Sequence, residues 1–262
     1  MSNGNFAERR GYVRRASECL VAIEVGGAEL HRAAHNSVID YRLQEAMQGG
    51  GRGVGTVPGF CSDKPSFSSP WHHHDCEMQI GIVLDGSVEM AFADGDFSRI
   101  GKWDIGMIPG GVAHDVSNPS ADFLTTEFTF PGTFATIETP PPPFGTPTNA
   151  VKWGMSDAVR TGEERGLLFY SYPVNPAYAD RYAVGRERRS RVAPFVSASI
   201  THDEDYRLYY LTQGTRTFEL NGEPHRLNSG DLLVLPGGVE CTDLDASEEH
   251  ELVTITLRLR DN

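Results

Sequence analysis

The sequence contains no long hydrophobic run. No stretch of about 18 apolar residues occurs, which is the length that a membrane-spanning helix needs. Residues 1–10 also lack the apolar segment of a secretory signal peptide. We therefore expect no membrane segment and a cytoplasmic protein.

Basic residues are scarce. Lys and Arg total 23 against 36 Asp and Glu, which gives a formal net charge of −13 and a pI near 5.1. A surface this acidic repels phosphate backbones, so we expect no nucleic-acid partner. The one basic cluster, Arg186–Arg191, is short, and we expect it to be a solvated loop.

Cysteine is also sparse. The four cysteines follow neither a CxxC spacing nor the spacing of a disulfide framework, and they are Cys19, Cys61, Cys76 and Cys241. The pattern favours reduced thiols, which agrees with a cytoplasmic location.

Glycine (28) and proline (16), in contrast, are abundant, and they punctuate two similar segments. The first segment is Gln79–Val112 and the second is Arg207–Val239, and both end in Pro-Gly-Gly-Val. Short alternating strands in each are broken by Asp-Gly or Asn-Gly turns, which is typical of antiparallel hairpins. The sequence therefore predicts an all-β protein built from two similar units.

A proline-rich segment between the repeats suggests the domain organisation. We predict an N-terminal domain over residues 1–135, a stiff linker over 136–165 and a C-terminal domain over 166–262. Helical periodicity is weak, and one short helix is expected over Asn36–Met47.

Four side chains in the first repeat predict a metal site. His72 and His74 alternate on a strand and so share one face, and Gln79 follows with the same parity. His114 comes after the Pro-Gly-Gly-Val-Ala turn. Three imidazoles and one amide oxygen suit one divalent transition metal, which is Fe, Mn, Ni, Co or Zn. Glu77 is the alternative fourth ligand if the strand entry is bulged.

These residues carry a resemblance to the cupin superfamily. The motif His72-x-His74-x4-Gln79-x6-Gly86, followed by Pro109-x-Gly111-x2-His114-x3-Asn118, resembles the paired cupin motifs. The resemblance implies two tandem double-stranded β-helix (jelly-roll) barrels with few short helices. It also implies that the four side chains named above bind the metal. The superfamily includes isomerases, decarboxylases, dioxygenases, storage proteins and sugar-sensing arms of regulators.

Two positions depart from the family pattern. Gln79 stands where most cupins have Glu, and a neutral ligand makes bound water or an enediol more acidic. The bacilysin-pathway isomerase and the uronate ring-opening cupins share this change, which favours redox-neutral isomerase or lyase chemistry. Trp103 stands where the motif has Gly, which concerns only the geometry of one turn.

The second repeat lacks the ligand pattern. Its four corresponding positions are Ile200, His202, Arg207 and Cys241. A guanidinium does not ligate a cation, so we expect this barrel to be metal-free and structural, or to form a dimer face. An alternative is that Arg207 faces a cavity and pairs with a carboxylate ligand.

Glu127 is the candidate catalytic residue. It shares a face with Thr125 and Thr129, and if this face lines the barrel, Glu127 is a general base near the metal, with a pKa raised by burial. If the face meets solvent, Glu127 is a surface acid. His73 points away from the ligands, and we assign Cys76 no role.

The sequence thus predicts a metal-dependent enzyme that acts on a small oxygenated metabolite, such as an oxo or hydroxy acid, a sugar acid or an enolisable ketone. Redox-neutral isomerase or lyase chemistry is favoured over the alternative of a non-heme Fe(II) dioxygenase. A small-molecule-sensing or structural protein without catalysis is the alternative from another class, since the segments around Gln79–Gly86 and Pro109–His114 also resemble sensing arms of arabinose-type regulators. A homodimer is possible.

Overall fold

The structure is a computed structural model that describes residues 11–15, 23–25, 28–30, 55–58, 69–95, 97–118, 120, 124–130 and 136–258. The expected helix at Asn36–Met47 lies outside the described residues. Within the described ranges the regular elements are β-strands, apart from one short 3₁₀ helix at Met155–Asp157. The predicted all-β class is therefore confirmed. None of the helices in these ranges has the length and hydropathy to cross a membrane.

The chain divides into two compact units. Residues 19–155 form one unit, and residues 1–18 together with 156–262 form the other. We call them the N-terminal barrel and the C-terminal barrel.

The N-terminal barrel is built from two five-stranded sheets and a small hairpin. The first sheet has the order β12-β5-β10-β7-β8, the second has the order β13-β9-β6-β11-β4, and β2 pairs with β3. The strands are β2 (Ile23–Val25), β3 (Ala28–Leu30), β4 (Gly55–Pro58), β5 (His72–His74), β6 (Met78–Asp85), β7 (Ser87–Phe92), β8 (Phe97–Gly101), β9 (Ile105–Pro109), β10 (His114–Ser117), β11 (Leu124–Phe130), β12 (Thr136–Glu138) and β13 (Val151–Trp153).

The C-terminal barrel repeats this plan. Its sheets have the orders β1-β21-β18-β23-β16-β15-β14 and β17-β22-β19-β20. The strands are β1 (Tyr12–Arg14), β14 (Val159–Glu164), β15 (Leu167–Ser171), β16 (Tyr182–Arg189), β17 (Ala198–Ile200), β18 (Tyr206–Gln213), β19 (Thr215–Leu220), β20 (Glu223–Asn228), β21 (Leu232–Pro236), β22 (Cys241–Ala246) and β23 (Glu251–Leu257).

Strand pairing places the unit boundaries elsewhere than the sequence prediction did. Tyr12 of β1 pairs with Val234 of β21, so an N-terminal strand completes the C-terminal barrel. Residues 136–165, expected to be a linker, contain β12 and β13, which pair with β5 and β9. Each of these short segments adds backbone hydrogen bonds to an exposed sheet edge.

The segment Arg186–Arg191 is not a solvated loop, so that expectation is wrong. Its first four residues belong to β16, which lies inside a sheet between β15 and β23. Arg186 is only 3% exposed. Charge alone suggested a loop, but the pairing of this strand on both sides buries half of its side chains.

Equivalent tight turns mark the repeat in both barrels. Gly86 and Gly214, which directly follow β6 and β18, have φ angles of 64° and 74°. Trp103 has a φ of 72°, and Gly230 occupies the corresponding turn with a φ of 90°. The turn that needs a left-handed residue is thus kept in the N-terminal barrel even though tryptophan replaces glycine.

Each barrel has its own apolar interior. In the N-terminal barrel a core cluster joins Val83, Val88, Ile100 and Val116. In the C-terminal barrel a larger cluster contains Tyr209, Leu211, Phe218, Leu220, Leu227, Leu233, Leu235, Cys241 and Leu252. These clusters identify which face of each strand points inward, because alternate residues share a face.

Candidate metal centre

Three histidines meet inside the N-terminal barrel. His72 and His74 lie on one face of β5 and are 8% and 4% exposed, whereas His73 between them is only half-buried. His114 begins β10, pairs directly with His72 in the ladder and is 1% exposed. Two segments 40 residues apart in sequence are therefore held side by side by backbone pairing.

The imidazoles are close enough to share one ion. One ligand nitrogen from each ring lies within 4.8 Å of the others. The ring centroids of His72 and His114 are 4.4 Å apart, and those of His74 lie 5.1 Å from His72 and 5.2 Å from His114. Nitrogens bound to one ion at about 2.1 Å lie roughly 3–4 Å apart, so the three rings are near ligand spacing.

Backbone carbonyls fix the orientation of two of the rings. His72 Nδ1 donates to the Pro70 carbonyl at 2.8 Å, and His114 Nδ1 donates to the Val112 carbonyl at 3.0 Å. Because Nδ1 carries the proton, Nε2 keeps its lone pair for a cation. This is the outer hydrogen bond that metal-ligating histidines typically make.

The site also favours the neutral imidazole that ligation requires. Burial, together with the charge of the neighbouring His72, lowers the pKa of His114 to about 4. A ring that does not take up a proton near neutral pH is available as a ligand.

Gln79 faces the same interior as the histidines. It shares a strand face with Val83, and His114 shares a strand face with Val116. Val83 and Val116 meet in one core cluster, so the inner faces of β6 and β10 look at each other. Gln79 is 4% exposed.

The amide of Gln79 is oriented by Glu127. A side-chain hydrogen bond joins the two residues, and since a carboxylate accepts, the amide Nε2 of Gln79 is the donor. The amide Oε1 is buried and has no hydrogen-bond partner in the described part of the chain. A buried acceptor that lacks a partner is costly, and a cation held by the three imidazoles would satisfy it. The donor set of the described residues therefore fits a divalent transition metal.

Glu127 lies on the inner face of β11. It pairs with Gly81 of β6, two residues from Gln79, and an added Cβ at Gly81 would meet Glu127 Cγ at 3.9 Å. The polar face of this strand therefore lines the barrel rather than meeting solvent. Burial raises the pKa of Glu127 to about 7, while the hydrogen bond from Gln79 opposes the rise.

Two neighbouring side chains are not brought into the ligand group. Glu77 lies in the turn before β6, and no carboxylate of the described residues joins the three imidazoles within ligand distance. Cys76 is half-buried, and burial raises the pKa of its thiol to about 12, so it remains protonated at neutral pH.

Gly110 lets the turn before β10 pack directly against the turn between β5 and β6. Gly110 N donates to the Glu77 carbonyl at 2.9 Å, and Gly111 N donates to the His74 carbonyl at 3.1 Å. A Cβ at Gly110 would lie 1.5 Å from the Cys76 carbonyl oxygen. Only glycine allows this close approach, which fixes the start of β10 and hence His114.

The C-terminal barrel has the equivalent frame without the ligand set. Ile200 pairs with Cys241 as His72 pairs with His114, and Arg207 occupies the register position of Gln79. Gly237 N likewise donates to the Asp205 carbonyl, and Gly238 N donates to the His202 carbonyl. Within the described ranges, the N-terminal triad is the one group of three or more His, Cys, Asp or Glu side chains at metal-binding distance.

Internal contacts occupy the polar side chains at these C-terminal positions. His202 Nε2 donates to the Leu235 carbonyl at 3.0 Å, and its Nδ1 lies 3.2 Å from Glu204 Oε2. Arg207 donates to the same carboxylate at 2.8 Å. Arg207 therefore has a partner within its own barrel, which weakens the alternative that it binds a ligand carboxylate.

Sequence reasoning missed two features. The first is the glycine pair Gly81 and Gly106, which face each other in register on the inner faces of β6 and β9. The second is a buried ionic cluster around Arg216 in the C-terminal barrel. An isolated glycine within an otherwise bulky strand was the available signal for the first feature. The arginine on an alternating strand gave no distinguishing signal.

Comparison with protein-family models gives two matches. Residues 59–126 match the model described as Cupin domain, and residues 196–260 match the model described as AraC-like ligand binding domain. The resemblance to arabinose-type sensing arms thus falls on the second repeat rather than on the first. No curated protein matches the sequence.

Solved structures extend the similarity over nearly the whole chain. A mutant of Bacillus subtilis oxalate decarboxylase is 13% identical with a TM-score of 0.67, and the match covers 97% of this chain and 78% of that one. A structure of the same enzyme, from work on its Mn(II) centres, is 13% identical with a TM-score of 0.66 and the same coverage. Protein Ylba from E. coli is 12% identical with a TM-score of 0.62, covering 97% of this chain and 93% of that one. At this identity the likeness concerns the fold. With both halves matched, the chain belongs to the cupin superfamily and carries two cupin domains, and among the described residues the N-terminal domain alone has the full set of ligand-type side chains.

Proposed function

We propose that this protein is a metal-dependent cupin enzyme that acts on a small oxygenated metabolite by redox-neutral isomerase or lyase chemistry. The observation that carries the proposal is the amide of Gln79. Its nitrogen donates a hydrogen bond to Glu127, while its buried oxygen has no hydrogen-bond partner among the described residues. One side chain thus links a candidate ligand set to a candidate proton carrier.

His72, His74, Gln79 and His114 would hold the ion. A bound divalent ion supplies a Lewis acid that polarises a substrate oxygen. Because three imidazoles and an amide are all neutral, this ligand set leaves the full positive charge of the ion to act on the substrate. The likeness to oxalate decarboxylase, a lyase by name, and to structures with Mn(II) centres supports this chemistry.

Glu127 would hold or move a proton. It lies on the barrel's inner face, and the hydrogen bond from Gln79 keeps its carboxylate in place. A carboxyl group buried beside a substrate is suited to general acid–base work, which typically contributes about 10²–10⁴-fold to rate. We further propose that the protein acts in the cytoplasm on a free small molecule and that it forms a homodimer.

The test measures metal content and turnover together. The protein would be stripped with chelator, reloaded separately with Mn, Fe(II), Co, Ni or Zn, and screened against oxo and hydroxy acids, sugar acids and enolisable ketones. We expect one ion per chain in the wild type, less than a tenth of that in His114→Ala, and unchanged metal in the matched control Cys241→Ala. Glu127→Gln should keep the ion and lose about 10²–10⁴-fold in kcat.

Oxygen dependence separates the remaining alternatives. Turnover under anaerobic conditions supports isomerase or lyase chemistry, whereas turnover that requires oxygen and Fe(II) would show a dioxygenase. Metal binding with ligand binding but no turnover would favour a sensing protein, the alternative that the match of residues 196–260 to a ligand-binding model supports. Absence of bound metal under all loading conditions would refute the proposal.

A further inference from the structure

A gap in the N-terminal barrel lies beside the candidate metal ligands. Gly81 and Gly106 pair directly across β6 and β9, and both are on the face that carries Gln79. A Cβ added at Gly106 would meet nothing within 4 Å, and one added at Gly81 would meet only Glu127, at 3.9 Å. Both glycines are partly accessible to solvent. Glycine within a strand marks a place where another group approaches the backbone.

The same two positions are filled in the C-terminal barrel. Tyr209 and Leu233 form the corresponding register pair, and they are 1% and 0% exposed within the apolar core. The shared frame therefore has room for two large side chains here, and the N-terminal barrel leaves that room open. A packed interior without such side chains is unfavourable unless something else occupies the space.

One row of residues crosses the sheet at this gap. In order across β11, β6, β9 and β13, the row is Glu127, Gly81, Gly106 and Lys152. Residues that pair directly in an antiparallel ladder project from the same face. With strands about 4.8 Å apart, Lys152 lies two strands from Gly81, at the outer edge of the gap.

Lys152 is suited to receive an anion. Its side chain is exposed, and the structure gives it no ion pair or hydrogen bond with any described residue. It stands in a chain with a net charge of −13, and other exposed cations, such as Arg99, Lys102 and Arg160, are paired with carboxylates. A flexible ammonium at the edge of an open site binds a carboxylate as a point charge.

We infer that the gap over Gly81 and Gly106 is the ligand-binding space, and that it takes a small dicarboxylate or oxo diacid whose far carboxylate reaches Lys152. This inference rests on the proposed function, because the other end of the ligand would lie at the candidate metal. It narrows the substrate class from oxygenated metabolites in general to doubly anionic acids with both charges separated by a short carbon chain.

The test is a binding titration of the Co(II)-loaded protein, read from the visible absorption spectrum of the ion. The probes are 2-oxoglutarate and 2-oxopentanoate, which share the oxo-acid end and differ in the far carboxylate. We expect wild-type protein to bind 2-oxoglutarate more tightly. Lys152→Met should weaken the binding of 2-oxoglutarate about five-fold and leave the affinity for 2-oxopentanoate unchanged. Lys102→Met, which removes an exposed lysine paired with Asp85, is the matched control and should change neither.

The gap itself is tested by filling it. Gly106→Leu introduces the residue type found at the corresponding position Leu233 of the C-terminal barrel. It should weaken the binding of both probes about 10- to 100-fold while the Co(II) content stays at one ion per chain. Gly106→Ala, whose Cβ has open space, should keep the fold and cause a smaller loss. If Co(II) binds but neither probe changes the Co(II) spectrum, the inference is wrong and the proposed metal site is unaffected. The same holds if the Gly106→Leu variant binds both probes with wild-type affinity. If Co(II) does not bind at all, the proposed function has failed first.

Discussion

The two barrels share one frame, but the metal-type cluster of one and the Arg216 cluster of the other lie at opposite ends of it. In the N-terminal barrel the histidines and Gln79 occupy one end, and Val88 and Val116 pack at the other. In the C-terminal barrel the ligand end holds His202 and Arg207, which bond within the barrel, and apolar side chains such as Tyr209. Arg216 there follows the turn glycine Gly214 by two residues, just as Val88 follows Gly86.

The polar cluster of the C-terminal barrel neutralises itself. Arg216 is 1% exposed and binds both carboxylate oxygens of Asp243, at 3.0 and 2.6 Å. It also donates to Glu187 at 2.5 Å and to His250 Nε2 at 2.9 Å. Arg165 Nη1 lies 3.7 Å from Asp243 Oδ2, so two cations face two carboxylates. The N-terminal cluster, in contrast, is a set of neutral lone pairs. The buried charges of the C-terminal cluster are therefore balanced by one another, whereas the lone pairs of the N-terminal cluster need a bound cation as their partner.

The largest effect is expected from breaking the ionic cluster. Arg216→Met removes the guanidinium, leaves Glu187 buried without its cation and leaves Asp243 with only Arg165, 3.7 Å away. This should lower the free energy of unfolding of the C-terminal barrel by about 3–5 kcal/mol. Urea unfolding followed by tyrosine fluorescence and circular dichroism measures the loss, because the three tryptophans all lie in the N-terminal barrel. Metal content of the N-terminal barrel serves as the internal control. A loss below about 1 kcal/mol would contradict the role given to this cluster.

A smaller effect is expected from the glycine that aligns the ligand turns. Gly110→Ala forces a Cβ against the Cys76 carbonyl oxygen, so the turn before His114 has to shift. We expect metal affinity to fall about 10- to 100-fold, similar to the loss when a group that orients a ligand is removed. Competition with a chelator of known affinity measures it. Gly106→Ala, where the added Cβ meets nothing within 4 Å, is the matched control and should bind metal normally. Equal affinity in both variants would show that Gly110 does not set the ligand geometry.

The smallest effect concerns acid sensitivity. Burial, with the charges of Arg216 and Arg189, lowers the pKa of His250 to about 2. Below about pH 6.5 the unfolded chain takes up a proton at this residue that the folded chain does not. The stability contributed by neutral His250 is therefore present above that pH and is lost by about 1.4 kcal/mol per pH unit as the pH falls below it.

His250→Gln isolates this contribution. The glutamine oxygen still accepts a hydrogen bond from Arg216 but does not titrate. We expect the free energy of unfolding of the variant to fall less steeply than that of the wild type between pH 6.5 and 5, as measured by urea unfolding at each pH. Parallel pH profiles would show that His250 is not the titrating group.

Much of the site was predictable because it rests on local pattern. Alternation in β5 places His72 and His74 on one face whatever the rest of the chain does, and the repeated Pro-Gly-Gly-Val turn predicted where His114 falls. The repeat alignment also gave the C-terminal counterparts, and the strand register confirms the equivalence of Arg207 with Gln79. The orientation of Glu127 was left open, since a strand with one polar and one apolar face fits either a solvent-facing or an inward-facing polar side.

The sequence by itself determined the all-β class, the two-fold repeat and the identity of the candidate ligands, because spacing along a strand and turn-forming glycines are local properties. Only the tertiary structure decided what each inner face meets. The pairing of Gly81 with Gly106, the bond from Gln79 to Glu127 and the neutralisation of Arg216 all join residues at least 25 positions apart. Burial and charge pairing depend on which strands are neighbours, and that is fixed only when the sheets close around a common interior.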